Sequence, residues 1–392
     1  MADRFETSKT SACQDVTVTA AVGAETRIWA AVDRLVDRAP NVEALVAHRL
    51  EPFAARRLRA RGEPVPEKLA RLERTSELYS VLVPVLMADI RRGCTGPLLV
   101  VKGPEAAARY PDPALRPYID VDLLVADPVR VQRELLGAGF VETGDPLRYE
   151  GGPHERPLVG PSMPMSVEVH GRLNWPRWLE PPAVEELFEA ALPASYGLDE
   201  VVVLPASHHA IVLAAHAWTH GPLASIRSVL DVAVMAEEAD PRELDLLAKE
   251  WGVDRLWKTV RRVADALFDD GRPPWPLRVW ARHLLPARER TVLEAHLARS
   301  LSGFSALAPP RALHALAWHL ASDVRPFPGE GWGSKVRRMQ RAFVNAAKPK
   351  TEHDVALDPT SEGGARLAPR RRDFRSADHA RHDDDRDRNQ EK

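Results

Sequence analysis

Apolar positions recur with a helical period from residue 25 to about 92. TRIWAAVDRLVDRA places Ile28, Val32, Leu35 and Val36 at i, i+4, i+7 and i+8, one face of a helix. VEALVAHRLEPFAARRLRARG continues the pattern, and a further helix is expected from Pro66 through KLARLERTSELYSVLVPVLMADIRRG. The period then changes. LLVVKG is a short apolar run ending at Gly103 and predicts a buried strand. PEAAARY predicts a short helix with Pro104 in its first turn, where a missing N–H costs nothing. YIDVDLLV predicts a second strand, Asp127-Pro128 caps a helix over VRVQRELLGAGF that Gly137 and Gly139 close, RYEGGPHERPLVG predicts a strand and turn, and MSVEVHGRL a further strand.

Helical periods return in PPAVEELFEAAL, SHHAIVLAAHAWTHG, LASIRSVLDVAVMAEEA, RELDLLAKEWG and DRLWKTVRRVADALFDD. The expected organisation is a flexible leader at 1–24, an N-terminal helical region at 25–94, a compact α/β core at 95–180, a C-terminal helical domain at 181–345 and a disordered charged tail at 346–392. The tail reads as a solvated end rather than a binding arm, and no internal repeat is evident.

Composition narrows the function classes. The chain has 392 residues, 44% hydrophobic and 28% charged, an ordinary globular balance with length for two domains. Its 54 basic and 56 acidic residues give a net charge of -2, so no global basic surface calls for nucleic acid. Two cysteines, Cys13 and Cys94, make a disulfide framework implausible and cannot supply a four-cysteine metal site. The N-terminus lacks the apolar segment of a secretory signal, and no apolar run reaches the roughly 20 residues that span a bilayer. A cytoplasmic protein with no membrane partner is expected.

The candidate chemistry lies between Lys102 and His170. Alternate strand residues share a face, so Asp120 and Asp122 project together. Two acids on one face repel each other and are costly to bury, and a cation between them removes that cost. Hard divalent cations bind through one or two carboxylates plus substrate phosphates. Gly103, at a strand-to-helix turn, lets backbone approach a phosphate, and the helix N-terminus adds favourable dipole. Lys102 and Arg116 offer compensating charge. Glu168 is placed to complete a metal shell or accept a proton. Each signal alone is weak; the ordered set of strand, glycine turn, helix, acidic strand and further acidic strand is specific.

That order resembles the DNA-polymerase-β-like nucleotidyltransferase superfamily. KGPEAAARYPDPALRPYIDVDLLV, then VEVHGRL and LAAHAWTHGPLASIRSVLDVAVM, more closely resembles a family of uncharacterised bacterial nucleotidyltransferases, over roughly residues 75 to 270. The resemblance implies an α+β fold, a small mixed-sheet core flanked by N-terminal and C-terminal helical regions. It implies Asp120, Asp122 and Glu168 as catalytic, metal-binding acids for Mg²⁺ or Mn²⁺, and Gly103 as the glycine of the triphosphate turn. The implied reaction moves a nucleoside monophosphate from an NTP to an acceptor (a small molecule, peptide or protein) and releases pyrophosphate. One departure stands out. Pro104 has no N–H to offer a phosphate, and Glu105 repels one if it faces the site.

Other readings stay open on the residues. His216 and His220 are four apart on one helix face and could bind zinc, as in a hydrolase, although no H-E-x-x-H motif is present. They could instead join Arg227 and Asp231 in lining a substrate cleft, or simply pack. His170 shares a face with Glu168 and could orient a carboxylate, touch a phosphate or pack. Trp218, Trp251 and Trp257 fall on helical periods and read as core rather than base-stacking platforms. A degenerate nucleotidyltransferase with a binding or regulatory role is the alternative to an enzyme.

Overall fold

The computed structural model describes residues 27–144, 155–326 and 331–349. The proposed leader, and the proposed tail beyond residue 349, lie outside the described residues. Seven short strands form one mixed sheet: β1 (Leu98–Val100), β2 (Asp120–Leu124), β3 (Val141–Glu142), β4 (Leu158–Val159), β5 (Ser166–His170), β6 (Leu192–Pro193) and β7 (Val201–Val203). Their spatial order is β3-β4-β5-β2-β1-β7-β6. The centre combines a parallel β2–β5 pair, an antiparallel β1–β2 pair and a parallel β1–β7 pair. The sheet therefore draws strands from beyond residue 180, where the periodicity places the end of the core.

Alternation divides the sheet into two faces. Val121, Leu123, Val167 and Val169 point to one side, against Leu86, Met87 and Ile90 of the Glu67–Gly93 helix and Val131 and Leu135 of the Pro128–Gly137 helix. Leu99 and Leu124 point to the other side, into a larger core with Val32 and Leu35 of the 27–38 helix, Ile211 and Ala214 of the Ala206–His220 helix, and Leu230 and Trp257 beyond it. Helices thus cover both faces of the sheet. Burying both faces suits a sheet with parallel pairs at its centre.

Several elements follow the sequence closely. The Glu67–Gly93 helix is continuous through Pro84. Asp127 caps the Pro128–Gly137 helix by accepting from the Arg130 amide. The stretch read as one run over VEALVAHRLEPFAARRLRARG is two helices, Val42–Ala47 and Glu51–Ala60. Arg49, with φ 57°, turns the chain between them, and the buried His48 ring lies 2.9 Å from the Arg288 carbonyl. Trp218, Trp251 and Trp257 are buried, as their spacing suggests. Among the described residues, no helix is long and apolar enough to cross a membrane.

Candidate active site in the cleft between sheet and helices

β2 and β5 run parallel in a register that sets Asp122 directly beside Glu168, with Asp120 beside Ser166 and Leu124 beside His170. Because the strand period is two, Asp120, Asp122, Glu168 and His170 all lie on the face that looks toward the Ala206–His220 helix. β1 delivers the cation. The Val101 amide donates to the Asp122 carbonyl at 3.0 Å, and the next residue, Lys102, leaves the ladder. Its Nζ lies 3.2 Å from Asp122 Oδ2, 3.4 Å from Asp120 Oδ2 and 3.3 Å from His216 Nε2. Gly103 then takes φ 75° and ψ -116°, a conformation open to glycine. A Cβ there would lie 2.8 Å from the Asp120 carbonyl oxygen, so the turn is pressed against the acidic strand. The helix that follows, Pro104–Ala107, is a single turn.

The charges decide how the cluster is poised. Burial opposes ionisation of Asp122, but Lys102 and the His170 hydrogen bond outweigh it and hold its carboxyl far below the usual range. Burial and the neighbouring Asp122 charge push Asp120 up, because Lys102 only partly offsets them. Glu168 is pulled down against burial, chiefly by His170. Lys102 is disfavoured by burial yet raised by Asp122, Asp120 and Glu168. His170, 3.2 Å from Asp122 Oδ1 and 3.5 Å from Glu168 Oε2, is raised to about 9 against its own burial. His216 goes the other way: burial, Lys102 and His220 drive it well below 6.5, so its imidazole is neutral. Two cations therefore stand among three carboxylates, and of the three only Asp120 is pushed up rather than down.

The donor set fits a metal. One oxygen each from Asp122 and Glu168 and one nitrogen from His170 lie within 4.8 Å of one another. Asp122 Oδ2 is buried without a well-aligned hydrogen-bond donor, even though the Lys102 charge is close. Asp120 stands outside that tight set and faces Lys102 instead. Carboxylate oxygens suit Mg²⁺ and Mn²⁺; the protonated His170 donates to these acids and would offer a nitrogen to a metal only after losing that proton. The His216 and His220 rings lie with centroids 4.3 Å apart, tilted at 48° to one another, and the His220 ring lies 3.1 Å from Asn174 Nδ2. Among the described residues, no third ligating side chain joins them into a metal-capable group.

The expected cationic partner Arg116 is placed elsewhere. It is buried at 2% exposure and forms a bidentate pair with Asp231, Nε to Oδ1 at 2.7 Å and Nη2 to Oδ2 at 2.9 Å. Its remaining arm donates to the Gly103 carbonyl at 2.9 Å. All three faces of the guanidinium are taken, so it presents none to a phosphate. Asp231 is equally buried and also accepts from the Tyr110 hydroxyl at 2.7 Å, with Arg227 3.6 Å away. Asp231 is thus the centre of a charge cluster behind the turn, with Arg227 half-buried at its edge, rather than part of a cleft wall. Glu105 is buried too and bonded to Tyr196, with burial raising its pKa, so it does not face the acids. Periodicity singles out neither Tyr110 nor His209 as part of this architecture; the signal for each is a partner about a hundred residues away.

A comparison with curated proteins finds no match, nor does one with solved structures. A family model described as "Uncharacterised nucleotidyltransferase" matches residues 36–269, which takes in both core strands, the glycine turn and the helices facing them. With the acidic strands, the glycine turn and a donor set suited to a metal in that one stretch, the chain belongs to this family of uncharacterised nucleotidyltransferases.

Proposed function

We propose that this protein transfers a nucleoside monophosphate from an NTP to an acceptor and releases pyrophosphate, with Asp120, Asp122 and Glu168 as the acids that hold Mg²⁺ or Mn²⁺. The observation that carries this reading is the parallel register that sets Asp122 beside Glu168, two residues from Asp120, on the face toward the cleft. A bound divalent ion there would supply charge neutralisation for the triphosphate and the leaving pyrophosphate. Asp122 and Glu168 would ligate it, and Asp120, on the same strand face, would join them as Lys102 moves off its carboxylate. Lys102 is the one cation of the glycine turn that faces the acids, and its ammonium would pass from carboxylate to phosphate as a nucleotide enters. Glu168, held ionised by His170, can take a proton from the acceptor hydroxyl. His170 holds both carboxylates in place. The acceptor would enter past the exposed His220.

The burial of Glu105 favours nucleotide entry, because its charge is turned toward Tyr196 and away from the turn. Incubation with each NTP and Mg²⁺ or Mn²⁺, followed by pyrophosphate release and transfer of label, tests the proposal. Asp120→Asn/Asp122→Asn is expected to lower the rate about 100-fold or more, since several kcal/mol of charge stabilisation would go with the metal. Nucleotide that binds with either metal yet is never cleaved would instead support a binding or regulatory role.

A further inference from the structure

Lys102 is a long, flexible side chain on a loop residue, yet it is held among three groups of the site. The two backbone carbonyls that flank it explain how. On its N-terminal side, Val101 O accepts from His209 Nε2 at 2.6 Å. The carbonyl can only accept, so Nε2 carries the hydrogen of a neutral ring. On its C-terminal side, Gly103 O accepts from Arg116 Nη1 at 2.9 Å as well as from the Ala107 amide. His209 belongs to the Ala206–His220 helix, and Arg116 is gripped by Asp231 of the Ile226–Glu237 helix. His209, Arg116, Asp231 and Tyr110 are all at least nine-tenths buried.

A buried ion pair is weak evidence of stability, because well-packed apolar residues often do as well. This one does something an apolar pair cannot: it supplies a hydrogen-bond donor, at a fixed place, to a carbonyl of the glycine turn. Without those donors the turn keeps its ladder bond from Val101 N to Asp122 O and its helix bond from Ala107, but these two side-chain bonds from the helical half to the Val101–Lys102 and Gly103–Pro104 peptides are gone.

We propose that His209 and the Arg116–Asp231 pair are positioning residues that clamp the Val101–Lys102 peptide and the Gly103–Pro104 peptide, one just before Lys102 and one a residue after it, so that the C-terminal helices set where its ammonium stands relative to Asp120 and Asp122. The clamp rests on the transferase reading only for its consequence in turnover; the placement itself can be measured without any reaction. Side chains of the helical half thereby reach the catalytic face through the backbone of one loop. The Arg116–Asp231 pair holds the turn from behind, and His209 holds it from the side of the cleft that carries His216, two helical turns along.

The test is the rate at which an N-hydroxysuccinimide ester acylates Lys102 in the intact protein, followed by peptide mass spectrometry, with exposed Lys249 and Lys258 as internal references. Arg116→Met/Asp231→Leu replaces the buried pair with apolar groups and is expected to fold, as checked by circular dichroism and thermal melting. In that variant, acylation of Lys102 should rise about 10-fold or more while the references stay level, because protection of the amine then depends on an unclamped loop. His209→Leu should show the same rise, and His209→Gln, which keeps an N–H donor, should return Lys102 to its protected rate. Where wild type turns over, kcat should fall about 10- to 100-fold in the unclamped variants, since small misplacement of a catalytic group costs that much. Folded variants in which Lys102 reacts at the wild-type rate overturn the clamp; if the double variant does not fold, the His209 pair decides by the same criterion. A rise in Lys102 reactivity in a protein that cleaves no NTP would keep the clamp and remove the transferase reading.

Discussion

Raising the pH through the titration of His170 should cost this protein a defined amount of stability. His170 lies 3.2 Å from Asp122 and 3.5 Å from Glu168, and these carboxylates raise it from 6.5 to about 9 against its own burial. The folded protein therefore binds this proton more tightly than the unfolded chain does. Its contribution is full below about pH 6.5 and is lost as pH rises through about 9. At 1.36 kcal/mol per pH unit, that difference corresponds to about 3 kcal/mol. Asp122 does not confuse the window, because its own pKa is lowered and its contribution disappears only in acid. The assay is urea unfolding of the metal-free protein at intervals from pH 6 to 10, run beside His170→Gln, which removes the titration. The gap between the two proteins should narrow by about 3 kcal/mol as the imidazolium is lost. The His170 ring proton in an NMR titration should report the same midpoint, identified by its absence from the variant. A ring that titrates at or below 6.5, or a gap that stays constant across the range, would refute the reasoning and detach His170 from the acids.

Two further outcomes follow from the turn and its anchor. Gly103→Ala should destabilise the protein by about 1–3 kcal/mol, because alanine is strained at φ 75° and its Cβ would press on the Asp120 carbonyl at 2.8 Å; unchanged thermal and urea unfolding would contradict the close approach. Asp231→Ala should cost about 3–5 kcal/mol by leaving the Arg116 charge buried and unpaired, whereas Arg74→Ala, which breaks only an exposed pair with Glu67, should cost about 0–1 kcal/mol. Equal unfolding midpoints for the two would show that the buried pair is not desolvated in solution.

The strands and helices of the core were legible because their patterns are local. Asp120-Val121-Asp122 and Glu168-Val169-His170 alternate charged or polar with apolar residues, and that alternation alone places the acids together on one face and the valines in the core. The 27–38 and Glu67–Gly93 helices follow from apolar spacing in the same way. β6 and β7 escape such a reading. They are two and three residues long, and β7 is defined by pairing with β1 about a hundred residues earlier. A strand so short is stabilised by its neighbours in the sheet, not by a period of its own.

By itself the amino-acid sequence determined the acidic pair, the glycine at the turn and the alternation that brings Glu168 and His170 to the same side, since each depends on a residue's own chemistry and a spacing of two. Only the tertiary structure decided which cation meets those acids. Lys102 and Arg116 look equivalent along the chain, fourteen residues apart and both near the acids. Asp231, 115 residues beyond Arg116, takes the guanidinium into the core and aims its last arm at Gly103. Of these two side chains, Lys102 is thereby left to meet the acids, because a buried ion must find its partner wherever the fold brings one, and no local pattern records that distance.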